Sequence, residues 1–278
     1  MTASGKVPHA LRFMPTDAPL RPLPTTIDEV VTRLDAIAQD AVDTGSRHGY
    51  FAALYRRVTV AVRAGIQSGA FDDNPRMARL DIVFANRYID AYDRRVRGLA
   101  PSLSWAAAFA AGSRPDLSVL QHLMLGMNAH INLDLGIAAV TIAPGNALEA
   151  LHADFNKING VLASLLPTVE SQLREMSPTL DLMAGLAHDA NRLDERIGNF
   201  SMNKARDAAW AFARRLNAMP SATARVLDIA ARDTLTAALA LKIQEPGPAS
   251  ALLGGADSAA VTAHIRILSR PATPDQAG

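Results

Sequence analysis

Apolar residues recur at helical spacing along most of the chain. Val30, Leu34, Ile37 and Ala41 fall three or four positions apart, and so do Phe51, Leu54, Val58 and Val62. That spacing places each set on one side of an α-helix. Caps and breakers mark the ends. Thr26 followed by Glu29 forms a capping box and predicts a helix from there to about residue 42. A second helix follows over 46–69. Asp72-Asp73-Asn74-Pro75 begins a third, 75–98, with Pro in the first turn, where a missing N–H costs nothing. Gly98 and Pro101 end it, and Ser102 or Ser104 caps a short helix over 105–111. A long apolar helix over 117–143 is stopped by Pro144-Gly145.

The pattern continues with a helix over 146–176, bent near Pro167, and a new start at Ser177-Pro178. Further helices run from Ser201 or Asn203 through Leu216, over 222–243 after Pro220-Ser221, and over 257–269. No β-branched run alternates with period two, no hairpin turn separates such runs, and no fixed-period repeat is present. The expected fold is all-α: a single-domain bundle of roughly eight to ten helices around a buried central one. Residues 1–24 read as a flexible Pro-rich arm, 25–245 as the helical domain, and 246–278 as a partly disordered C-terminal extension.

The central helix carries the chemistry. At about 100° per residue, Gln121, Asn128 and Asn132 form one polar stripe. His130 and Asp134, one turn apart, lie on the opposite side, with His122 toward its edge. Everything between is apolar, so the helix is expected to be buried. Gly126 and Gly136 weaken a helix and imply close approach by neighbours. Buried polar groups need partners. A His and an Asp at i, i+4 converge on one spot, as two metal ligands do, or as a general base and its orienting carboxylate do. A purely structural network satisfies the same pattern.

Other residues extend the cluster. The segment after Pro144-Gly145 turns back beside the central helix and brings His152 and Asp154, of which Asp154 has the more apolar neighbours. On the third helix Asp81, Ala85, Tyr88 and Tyr92 share a face, and Asp81 lies among Leu80, Ile82, Val83 and Phe84. An ion pair with an arginine such as Arg87 is the plain account of a buried Asp81. Trp105 joins Met124 and Met127 as candidate pocket lining. His188, with Asp189, Arg192, Asp194 and Glu195 around it, reads as a solvated helix face.

Composition removes several classes. The chain has 278 residues, net charge +1 and no cysteine. Thiolate nucleophiles, disulfides and Cys-based metal sites are therefore excluded. The balanced charge gives no reason to expect nucleic acid as a partner. The polar residues in 117–143 argue against a transmembrane segment there, and the first 24 residues do not look like a signal peptide. The expectation is a cytoplasmic protein. Walker, dinucleotide, nucleophile-elbow, His-Glu-x-x-His and paired Glu-x-x-His motifs are all missing.

Three stretches look familiar: Phe84-Ala85-Asn86-Arg87-Tyr88, the run Gly126-Met127-Asn128-Ala129-His130-Ile131-Asn132-Leu133-Asp134-Leu135, and His152-Ala153-Asp154-Phe155-Asn156-Lys157-Ile158-Asn159. They resemble an uncharacterised bacterial family catalogued as domain of unknown function 5995, over roughly residues 48–215. The resemblance implies that the three segments belong to one recurrent core. It implies no activity.

Three functions fit these residues. One is metal-dependent hydrolysis of a small or lipid-like substrate. In it His130, Asp134, Asp154 and Asp81 hold a zinc, manganese or iron ion, His122 assists, and Asn128, Asn132, Tyr88 and Trp105 bind substrate. A second is metal-free: His130 is a general base oriented by Asp134, acting on an apolar small molecule. The third is a helical binding protein whose polar core is structural. Metal content of protein purified without chelator separates the first from the others.

Overall fold

Helix starts fall where side chains can cap them. The computed structural model describes residues 21–176, 202–245 and 257–270. Among the described residues there are nine helices and no strand: α1 Ile27–Thr44, α2 Gly49–Gln67, α3 Asn74–Val96, α4 Leu103–Ala110, α5 Val119–Ile142, α6 Ala147–Met176, α7 Met202–Asn217, α8 Ala222–Ile243 and α9 Ser258–Ser269. Thr26 and Glu29 close the expected capping box, and Asp73, Ser102 and Ser221 cap α3, α4 and α8. α6 continues through Pro167. The start expected at Ser177-Pro178 and the charged segment around His188 lie outside the described residues.

α5 is the hub. It packs against α2, α3, α4, α6, α7 and α8. Its length and apolarity would suit a membrane span, yet 83% of its most apolar stretch is buried within the protein. The two glycines mark where neighbours press closest. A Cβ on Gly126 would lie 2.4 Å from the Phe51 ring, and one on Gly136 would lie 2.6 Å from Phe212. Between them, residues His130–Leu135 form a π-helical turn, all six side chains buried. Such turns admit one extra residue and are frequent at functional sites.

Two apolar cores flank α5. One gathers α1, α2, α4 and α9 around the first half of α5 and the later part of α3. The other gathers α6 and α7 around its second half and the start of α3. Phe84 and Met127 pack against both. The ends of the chain join in. Leu23 packs on the first core, and Asn86 donates to the Pro24 carbonyl at 2.9 Å, so the last residues of the expected arm are tied down. α9 inserts Val261, Ile265 and Leu268, and buried Arg57 donates to the carbonyls of Leu268 and Arg270 and to Gln172.

Candidate active site

His130 and Asp134 meet as their spacing implied. The Asp134 carboxylate, 1% exposed, is held from three sides. Arg87 Nε donates to Oδ1 at 2.6 Å, Trp105 Nε1 donates to Oδ2 at 2.8 Å, and His130 Nδ1 lies 3.4 Å from Oδ2. Burial pushes the Asp134 carboxyl up. Arg87, with the His130 and Trp105 hydrogen bonds, more than offsets this and holds it below the usual carboxylate range. Asp134 is therefore ionised and can only accept. Nδ1 of His130 must then carry the proton, which leaves Nε2 as a bare lone pair.

The His130 ring is fixed by aromatic side chains. It stacks on Phe84 with centroids 3.5 Å apart and planes within 9°, and Tyr55 meets it edge-on at 4.4 Å. Burial lowers the His130 pKa against the opposing pull of Asp134, so the imidazole is neutral. Nε2 is buried and bonded to nothing. His130 lines a pocket at the seam between the two cores, with about 740 Å³ of empty space, open mouth included. The lining is mostly apolar, from Leu54, Val58 and Val62 on α2 to Ile158 and Leu162 on α6.

Three more polar atoms on residues of this wall lack partners: Asp81 Oδ2, Tyr55 Oη and Arg206 Nε. Asp81 is not the Arg87 partner that its neighbours suggested, because Arg87 reaches across to Asp134 instead. Among the described residues no hydrogen bond or ion pair serves Asp81. Burial raises its carboxyl to about 7, so a large share keeps its proton at neutral pH. Tyr55 is pushed well up, first by burial and then by the charges of Asp81 and Asp134. The Thr59 hydroxyl bonds the backbone carbonyl of Tyr55 at 3.0 Å and leaves the phenol unserved.

The chain matches the family described as "Family of unknown function (DUF5995)" over residues 27–246. It belongs to that family. No curated protein and no solved structure matches it. The DUF5995 match takes in α1 to α8 and the whole pocket, and α9 lies beyond it.

The other expected site residues of this DUF5995 member fall elsewhere. Asn128 donates to the Thr236 carbonyl at 2.9 Å and Asn132 donates to Asn128 at 3.0 Å, so both amides fasten α5 to α8 and neither lines the pocket. Gln121 donates to the Ile243 carbonyl on the same side. His122 and Tyr88 border a small separate cavity with His48, which Trp105 also lines. Burial lowers His122 to about 4 and His48 to about 3. Asp154 accepts from the backbone N–H groups of Asp72 and Asp73 and from Arg76, and anchors the start of α3. His152 stacks on Trp210. His130, Asp134, Asp154 and Asp81 are not gathered into a ligand set. Among the described residues no group of three or more His, Asp or Glu could hold a metal ion.

Tyr55, Phe84 and Arg206 are the pocket residues that sequence reasoning missed as site components. Tyr55 lies one position past the apolar stripe of α2, and Arg206 comes from a helix more than seventy residues downstream. Neither carries a local signal. Phe84 stood inside a quoted stretch, yet nothing in the sequence aligned its ring with that of His130.

Proposed function

We propose that this protein is a metal-free general acid–base enzyme that acts on a small, largely apolar carbonyl compound. The observation that carries the reading is the lone pair of His130 Nε2, buried and unbonded in the same wall as two unbonded proton-bearing groups. Unsatisfied buried polar atoms are costly, and four on the residues of one pocket wall, Arg206 Nε among them, mark a place built for something else to bind.

The roles follow from protonation states. His130 Nε2 takes a proton from the carbon next to the carbonyl. The C–H electron pair moves into the carbonyl, and charge builds on its oxygen. Tyr55 and protonated Asp81 donate hydrogen bonds to that oxygen, a use of a neutral carboxylic acid that apolar burial makes available. Asp134, clamped by Arg87 and Trp105, fixes the tautomer and steadies the imidazolium. Return of the proton to the same carbon exchanges it with solvent, and in a β,γ-unsaturated substrate its return to the γ-carbon, with the double bond moving into conjugation, completes an isomerisation. The dry lining strengthens each of these interactions.

A second reading has its own support: the Asp134 contacts all lie within the protein, as in a structural network that ties α3, α4 and α5 together. It leaves His130 Nε2 without a purpose. The metal-dependent alternative needs donors that are not brought together among the described residues.

Exchange of α-protons for deuterium separates these readings without a known substrate. Medium-chain ketones incubated with the protein in D₂O should lose α-proton NMR signal, and His130→Gln should slow this by at least about a hundredfold. No exchange, or equal exchange in the variant, would return the cluster to structure.

A further inference from the structure

Buried arginines are normally matched by oxygen atoms, because a lone charge in apolar surroundings is strongly unfavourable. Arg87 has Asp134, Arg76 has Asp154, and Arg57 has three acceptors. Arg206 on α7 differs. It is 5% exposed and lines the same pocket as His130 and Asp81. One Nη donates to the Phe155 carbonyl, the guanidinium lies 4.4 Å over the Phe155 ring, and Nε is buried without an acceptor. No carboxylate among the described residues forms an ion pair with it. Asp207 influences it only through space, and burial lowers its pKa to about 10. It remains a cation.

This inference rests on the acid–base reading above and names the substrate class. We infer that the pocket binds an amphipathic monocarboxylate, its anion on Arg206 and its apolar body along Leu54, Val58, Ile158 and Leu162. A guanidinium with an unused Nε–H suits a carboxylate, which can accept from two of its donors at once. The count of charges selects the headgroup. Among the described residues Arg206 is the one arginine or lysine in the lining. A carboxylate brings one negative charge and is neutralised. A phosphate monoester brings more than one at neutral pH, and its excess would stay buried unpaired. An acid held on Arg206 by its carboxylate would carry its reacting carbonyl elsewhere, as an oxo acid does.

Calorimetric titration of the full chain at pH 7 with octanoate, 1-octanol and octyl phosphate tests this. Octanoate should bind at least about tenfold tighter than either of the others. Arg206→Met should erase the preference for the acid, and Arg206→Lys, which keeps the charge, should retain part of it. Circular dichroism on both variants should match the wild type, as a check that they are folded. His130→Gln should keep the preference, since the anion site does not depend on the base. Equal affinity for octanoate and octanol, tighter binding of octyl phosphate, no binding of any probe, or a preference that survives in Arg206→Met overturns the inference. The acid–base reading fails separately: deuterium exchange absent from a protein that still prefers octanoate removes the reaction and leaves the ligand.

Discussion

The imidazole of His130 lies flat on the ring of Phe84, centroids 3.5 Å apart and planes within 9° of parallel. This stacking, with Tyr55 at the edge, fixes the plane of the ring and helps to bury it. Phe84→Leu should leave the fold intact at a cost of about 1 kcal/mol. It should also let the ring hydrate, so the His130 pKa rises toward the ordinary value of about 6.5. A nitrogen-15 NMR titration of His130 in both proteins would show this. An unchanged titration would mean that burial of the ring does not depend on Phe84.

Asp134 holds three helices through Arg87, Trp105 and His130. Asp134→Asn removes the charge and leaves Arg87 buried without a counter-ion. Breaking such a pair from one side costs about 3–5 kcal/mol. The double variant Asp134→Leu with Arg87→Met should recover much of that loss, because neither charge is left alone. Urea unfolding of the wild type, Asp134→Leu, Arg87→Met and the double variant gives the coupling. Additive losses would show that the two residues act independently.

Asp81 makes stability depend on pH in a defined direction. Its folded pKa, about 7, lies above its unfolded value, so the unfolded chain releases the proton first as pH rises. Its contribution is complete below about pH 4 and is lost progressively up to about pH 7, at most about 4 kcal/mol. The buried His48 and His122 act the other way. Their lowered values mean that stability falls as pH drops below about 6.5. Asp81→Asn isolates the first effect. Relative to wild type, the variant should gain stability steadily between pH 4 and 7 in chemical denaturation. A pH-independent difference would mean that Asp81 is ionised in the folded protein.

Gly136 meets backbone as well as side chain. A Cβ there would lie 2.6 Å from Phe212 and 2.9 Å from the Ala209 carbonyl oxygen. Gly136→Ala gains up to about 1 kcal/mol of helix propensity. It should nevertheless destabilise by about 1–3 kcal/mol, because the overpacked backbone of α7 cannot swing aside. A thermal melt that rises in the variant would show that α7 yields.

The helices were readable because their ends carry their own signals: Thr26 with Glu29, Asp73 before Pro75, Ser102, and Ser221 after Pro220. The meeting of His130 and Asp134 was readable for the same reason, since four residues on a helix is a local relationship. The rest of the site was not local. Arg87 lies near Asp81 in sequence and yet pairs with Asp134, forty-seven positions away. Asp154 has the apolar neighbours of a buried ligand, but the backbone of Asp72 and Asp73 claims it. The amides of Asn128 and Asn132 looked like a ligand surface until α8 was seen to cover them. Each of these depends on which helix lies alongside, and a hydrophobic pattern does not encode that.

The π-helical turn at His130–Leu135 has a further consequence. It behaves like a dislocation in a crystal row. The first half of α5 is phased so that Gly126 faces Phe51, and the second half so that Gly136 faces Phe212. One surplus residue between them lets both alignments hold. Were the turn to regularise with every residue kept, the surplus would pass down the helix and rotate everything after it by about 100°. One core would then be out of step with the other. The site thus sits where one surplus residue is absorbed between two separately registered halves of the molecule, and a further insertion there would be felt by the whole fold.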